Sequence, residues 1–166
     1  MRPAEILFLF DYDRWATGQI LDASLELSQA EWSAESVIGE RGIGGILVHA
    51  LGAHERWRSG FEGRPRMALR EEAALPSQDE LRDAWEGEWV AIRAFIEQLD
   101  EDRLDATYNE APLWQAMVQL VNHGTQHRSE AAVILTAAGD SPGDLDIVRF
   151  TFERTHGLDE ARSVAE

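Results

Sequence analysis

The chain contains no cysteine, which excludes disulfides, thiolate nucleophiles and cysteine-based zinc sites together. No apolar run approaches the roughly 18 consecutive residues that a membrane-spanning helix requires. Basic residues are scarce: 15 Lys and Arg stand against 31 Asp and Glu, a formal net charge of −16. So acidic a chain repels phosphate backbones and anionic lipid surfaces, and neither nucleic acid nor membrane is expected as a partner. No strand-like alternation of useful length appears, nor any short-period repeat or low-complexity tract. The glycine-rich "GERGIGG" (Gly39–Gly45) lacks the Lys-Ser/Thr of a phosphate-binding loop and reads as close packing at a helix start. No nucleophile-elbow pattern is present.

What is there describes an ordinary globular protein. With 166 residues, 44% hydrophobic and 28% charged, the chain is long enough to bury a real core in one domain. Six tryptophans suggest heavy aromatic packing or an interface. The start, "MRPAEILFLFDYDRW", has a short apolar run closed at once by acids, and reads as mature sequence rather than a signal peptide. A cytoplasmic location is expected, in keeping with the absent cysteine.

Apolar residues recur at steps of three and four in four segments, the period of amphipathic helices. The first runs from Ile6 to Leu27, and the second from Ile43 to Phe61. The third follows Ser77, whose partner Glu80 completes a capping box, and carries Leu81, Trp85, Trp89, Ile92 and Leu99. The fourth runs from Leu113, after Pro112, to Ala138, where Gly139 supplies a stop. The connections Leu27–Gly42 and Glu62–Gln78 are long, and Asp100–Pro112 is a third. A short further helix is expected around Asp144–Phe152. The expected fold is all-α: a four-helix bundle over residues 1–152, followed by a loosely ordered tail, 153–166. The acidic runs "REEAAL" and "LDEDRLD" read as solvated surface.

The chemistry lies in the histidines. Positions four apart on a helix differ by only ~40°, so His123 and His127 share one face and their rings can converge. The residue after His123 is Gly124, not the glutamate base of a zinc protease, so that reaction is excluded. Gly124 weakens its helix by roughly 1 kcal/mol relative to alanine, which is explicable if another helix approaches closely there. His49 lies on the inward side of the second helix. Three inward imidazoles from two helices make a three-ligand site with open positions, suited to zinc, nickel, copper or iron. His54 points ~140° away from His49 and reads as a surface or interface residue. Glu153 and His156 form only one Glu-x-x-His pair, outside the core helices, too little for a di-iron bundle. Glu130 and Gln119 lie near the pair and could orient a ligand or a bound nucleophile. Arg128 could hold a substrate carboxylate or sit in a surface ion pair. Tyr12 and Trp57 read as core residues, with the lining of a site's mouth as the second reading.

Three stretches, "DYDRWATGQILDASLEL", "GIGGILVHALGAHERW" and "LWQAMVQLVNHGTQHRSEAAVILTAAGDSPGDLDIVRF", together resemble the DinB-like family of bacterial metal-binding four-helix bundles. The resemblance extends from about Ile6 to about Phe150, and its most specific block is "NHGTQHR". It implies a divalent metal, often zinc or nickel, on one histidine of the second helix and two of the fourth: here His49, His123 and His127. It also implies a homodimer. Related enzymes are metal-dependent thiol transferases using bacillithiol or mycothiol, and a mycothiol-dependent maleylpyruvate isomerase. The expectation is therefore a metal-dependent thiol S-transferase or hydrolase acting on a small electrophile, with a low-molecular-weight thiol as cosubstrate. A non-catalytic metal-binding stress-response module and a plain structural dimer stand as alternatives.

Overall fold

Proline at the first helical turn and the reciprocal Arg2–Glu5 bonds start the first helix earlier than its apolar period suggests. In the computed structural model, which describes residues 1–36, 41–70 and 75–156, α1 spans Pro3–Ser24 rather than Ile6–Leu27. The connection that follows contains α2 (Gln29–Ser33), capped by Ser28 with Glu31 in return. Helix α3 spans Ile43–Phe61. Helix α4 (Gln78–Ile96) starts at the Ser77–Glu80 capping box and ends three residues before Leu99. The next connection holds α5 (Glu101–Asp105) and a two-stranded hairpin, β1 (Thr107–Tyr108) with β2 (Ala111–Pro112). Asn109 and Glu110 turn it with positive φ. Helix α6 (Leu113–Ala138) is the longest and stops at Gly139 in the left-handed conformation. Helix α7 (Ile147–His156) extends past the Asp144–Phe152 expected, so residues 153–156 of the expected tail are helical. Residues 157–166, the acidic stretch 71–74 and the first part of "GERGIGG" lie outside the described residues.

The four long helices α1, α3, α4 and α6 form an all-α four-helix bundle. Going round it, α1 packs on α4, α4 on α3, α3 on α6 and α6 on α1. The core falls into two apolar clusters. One takes Ile20 and Leu21 of α1, Ile43–Leu51 of α3, Leu81–Trp89 of α4, and Ala131 and Leu135 of α6. The other takes Ile6–Ala16, Phe61, Ile92 and Ile96, and Leu113–Val121, with Phe150 of α7. The order in which each helix meets the clusters fixes its direction: α1 and α6 run one way, α3 and α4 the other. Parallel α3 and α4 require the connection between them to return the length of a 19-residue helix, about 28 Å at 1.5 Å per residue, which accounts for its length.

Between the clusters lies a buried polar layer: Asp13 and Thr17 on α1, His54 on α3, Glu88 on α4 and Arg128 on α6. At its α3–α4 edge Arg58 donates to Glu88 through Nε (2.8 Å) and Nη2 (2.7 Å). Helix α7 caps the bundle beside α1, with Phe150 among Phe8, Tyr12 and Trp15 and a Trp15 Nε1 bond to Glu153 of 3.0 Å. At the start of α3, a Cβ on Gly44 would lie 2.9 Å from Leu75 and 3.0 Å from Trp32, the close packing expected there. No helix among the described residues is long and apolar enough to cross a membrane.

Candidate metal centre

The i, i+4 spacing of His123 and His127 does on α6 what helical geometry demands. Their ring centroids are 4.4 Å apart, and the two Nε2 atoms 3.2 Å apart. His49 arrives from α3, its ring 4.9 Å from His127 and 5.6 Å from His123. One ligand atom from each of the three lies within 4.8 Å of the others, and the group could hold a metal ion. His127 is buried, while His49 and His123 are half-buried, so the cluster sits at the edge of the core.

The donor set fits a borderline divalent cation. Two imidazole nitrogens bound to zinc at about 2.0–2.1 Å stand roughly 3.4 Å apart in tetrahedral geometry. The Nε2 pair needs an adjustment of only a few tenths of an ångström to reach it. Burial, and then the neighbouring His127 and His49 rings, push His123 down to about 4, so this imidazole is neutral at pH 7, the form that ligates. Its Nδ1 is buried and has no hydrogen-bond partner among the described residues.

Glu130 is placed on the outer nitrogen of His127. Its Oε2 lies 2.8 Å from Nδ1, one turn further along α6. An imidazole that donates to the carboxylate through Nδ1 turns its Nε2 lone pair toward the other two rings. Burial opposes the charged form of Glu130, yet hydrogen bonds from His127 and Gln126, with the charge of Arg41, hold its carboxyl below the usual range.

The other expected residues lie elsewhere. Gln119 is on the exposed surface of α6. Arg128 is buried rather than in a surface pair: it donates to Asp13, to Thr17 Oγ1 (3.2 Å) and to Thr125 Oγ1 (2.9 Å). Tyr12 is in the core, its hydroxyl donating to the Leu145 carbonyl at 3.0 Å, and Trp57 packs against Phe61 and Tyr108. His156 is exposed and stacked on Phe152.

His54 corrects the sequence reading. It is 1% exposed, with its ring against Phe10 and Trp85 and its Nε2 3.4 Å from Asp13 Oδ2. An offset of ~140° puts a residue outside only on a helix buried along one stripe. Helix α3 instead packs on α2, α4 and α6, so directions away from His49 are interior as well. Gly124 is explained by the same layer. A Cβ there would lie 2.6 Å from Asp13 Oδ1 and 2.8 Å from Arg128 Nη1, so the close approach comes from an ion pair of α1 and α6.

Comparison with curated proteins finds no match, and neither does comparison with solved structures. The sequence pattern of the DinB family does match, over residues 3–160. That span takes in all four bundle helices and every histidine of the cluster, and the chain belongs to the DinB family.

Proposed function

We propose that the protein binds one divalent metal ion, zinc or nickel, through His49, His123 and His127, and uses it as a metal-dependent thiol S-transferase or hydrolase on a small electrophile. The observation that carries this is the convergence of three imidazoles from two helices with ligand atoms within 4.8 Å. With three neutral ligands a bound ion keeps its full charge and lowers the pKa of a coordinated water or thiol. The chain's own residues supply the rest. Glu130 orients His127 and fixes its tautomer, as carboxylates behind metal-bound histidines do. The helices hold the three rings before any ion arrives, so little reorganisation accompanies binding.

An open coordination position favours chemistry over storage. Among the described residues, two side chains near enough in sequence to be considered as a fourth ligand are engaged elsewhere. Glu130 is bonded to His127 Nδ1, and His54 faces Asp13 in the core. The homodimer and the low-molecular-weight thiol belong to the same proposal and follow from the family resemblance. The test uses protein purified without a histidine tag and loaded with zinc or nickel. Conjugation of a low-molecular-weight thiol to a panel of electrophiles, abolished by chelation and restored by metal, is the expected result. A protein that takes up neither ion overturns the proposal; one that binds metal but turns over nothing reduces it to a metal-binding module.

A further inference from the structure

Asp13 is completely buried on α1 and faces both ligand-bearing helices at once. Its Oδ1 accepts a charge-assisted hydrogen bond from Arg128 Nη1, and its Oδ2 lies 3.4 Å from His54 Nε2. Arg128 directly follows the ligand His127. Gly124 directly follows the ligand His123, and a side chain there would collide with Asp13 Oδ1. Each α6 ligand is thus one residue from a backbone or side-chain contact with the same carboxylate. On the other side the carboxylate meets α3 at His54, in the helix that supplies His49. A buried ion pair adds little net stability over a well-packed apolar pair, so its main contribution here is geometric. Metal ligands tolerate misplacement of only about half an ångström before the site is lost.

We propose that Asp13 is the positioning residue of the three-histidine site: through Arg128 across Gly124, and through His54, one carboxylate holds the α6 ligand pair in register with the α3 ligand. This rests on the metal-site reading above. Asp13 touches neither metal nor substrate; it acts through the helices. Gly124 belongs to the same device, because only a residue without a side chain lets the ion pair lie against α6 between the two ligands.

The experiment compares the untagged wild-type chain with Asp13→Asn, Gly124→Ala and, as a control, Glu88→Gln, which breaks a buried ion pair of the same polar layer without touching α6. Cobalt(II) is the probe, read by its visible absorption and by competition with a chelator. Asp13→Asn and Gly124→Ala are expected to weaken cobalt binding about 10- to 100-fold, the range for loss of a group that orients ligands, and to change the cobalt spectrum. Glu88→Gln is expected to lower the melting temperature while leaving affinity and spectrum unchanged. A folded Asp13→Asn or Gly124→Ala with wild-type affinity and spectrum overturns the inference, as does an equal loss in Glu88→Gln. If Asp13→Asn does not fold, Gly124→Ala decides. Wild-type protein that binds no cobalt, zinc or nickel sinks the metal reading itself. In that case a metal-free crystal structure of Gly124→Ala decides the positioning role: the three ligand atoms spread beyond 4.8 Å if it is right and stay together if it is wrong.

Discussion

His127 Nδ1 and Glu130 Oε2 lie 2.8 Å apart, a hydrogen bond that commits the other face of the imidazole to His49 and His123. A glutamine at position 130 can still accept from Nδ1 but brings no charge; alanine leaves the ring free to turn. Glu130→Gln is expected to weaken zinc binding by about tenfold, and Glu130→Ala by up to about 100-fold. Competition titration with a chromophoric chelator measures both. Equal, wild-type affinities in the two variants would show that the carboxylate does not orient the ring.

Metal that binds only the folded chain stabilises it by linkage. At a free concentration of 100 times Kd the gain is about 2.7 kcal/mol. For a domain of this size that raises the melting temperature by roughly 5–10 °C. Wild-type protein should show the rise with zinc or nickel and lose it on chelation. His49→Ala, lacking the only ligand that α3 supplies, should melt at nearly the same temperature with and without metal. A full shift in His49→Ala would place the ion elsewhere.

Much of this site could be read from spacing alone. The His123–His127 pair shares a helix, so its geometry follows from the helical repeat, and α3 and α6 kept the ends predicted from their apolar periods, with Gly139 as a stop. What escaped depended on contacts far apart in sequence. Asp13 and Arg128 are 115 positions apart, and neither carries a local sign of its partner. His54 was misplaced because the covering of α3 by α2, α4 and α6 is a tertiary fact. Two local signals were also missed. Ser28 with Glu31 repeats the capping box of Ser77 with Glu80, yet α2 is only five residues long and shows no period. The hairpin at Asn109–Glu110 has strands of two residues, too short to alternate.

The buried histidines predict how the metal-free protein responds to acid. Burial holds His54 below its ordinary value; the charges of Asp13, Glu88 and Glu55 oppose the shift, while Arg128 adds to it. His123 is likewise depressed, to about 4. Both rings are neutral in the folded protein where the unfolded chain already binds protons, so the unfolded state gains protons first as pH falls. Stability contributed by the neutral rings is complete above about pH 6.5, the ordinary histidine value, and declines toward pH 4. Melting temperatures of metal-free protein should therefore fall steadily between pH 7 and pH 5. In His54→Phe the slope should be shallower. An unchanged slope in that variant would mean that His54 binds protons in the fold just as it does in the unfolded chain.

The Arg58–Glu88 pair joins α3 to α4 at the edge of the polar layer, where the Glu88 side chain is 2% exposed. The hydrogen bond to Glu88, with its charge, raises the guanidinium above its ordinary value although burial opposes it. Removing the charge leaves a partly buried cation whose remaining anionic contact among the described residues is the weaker one with Glu62, at 3.2 Å. Glu88→Gln should cost about 2–3 kcal/mol, as expected for loss of a buried bond to a charged group. Glu62→Gln, which removes the more exposed partner, should cost about 0.5 kcal/mol. Chemical denaturation of both variants, with unchanged m-values, measures the difference. Equal losses would mean that the two carboxylates share the cation evenly.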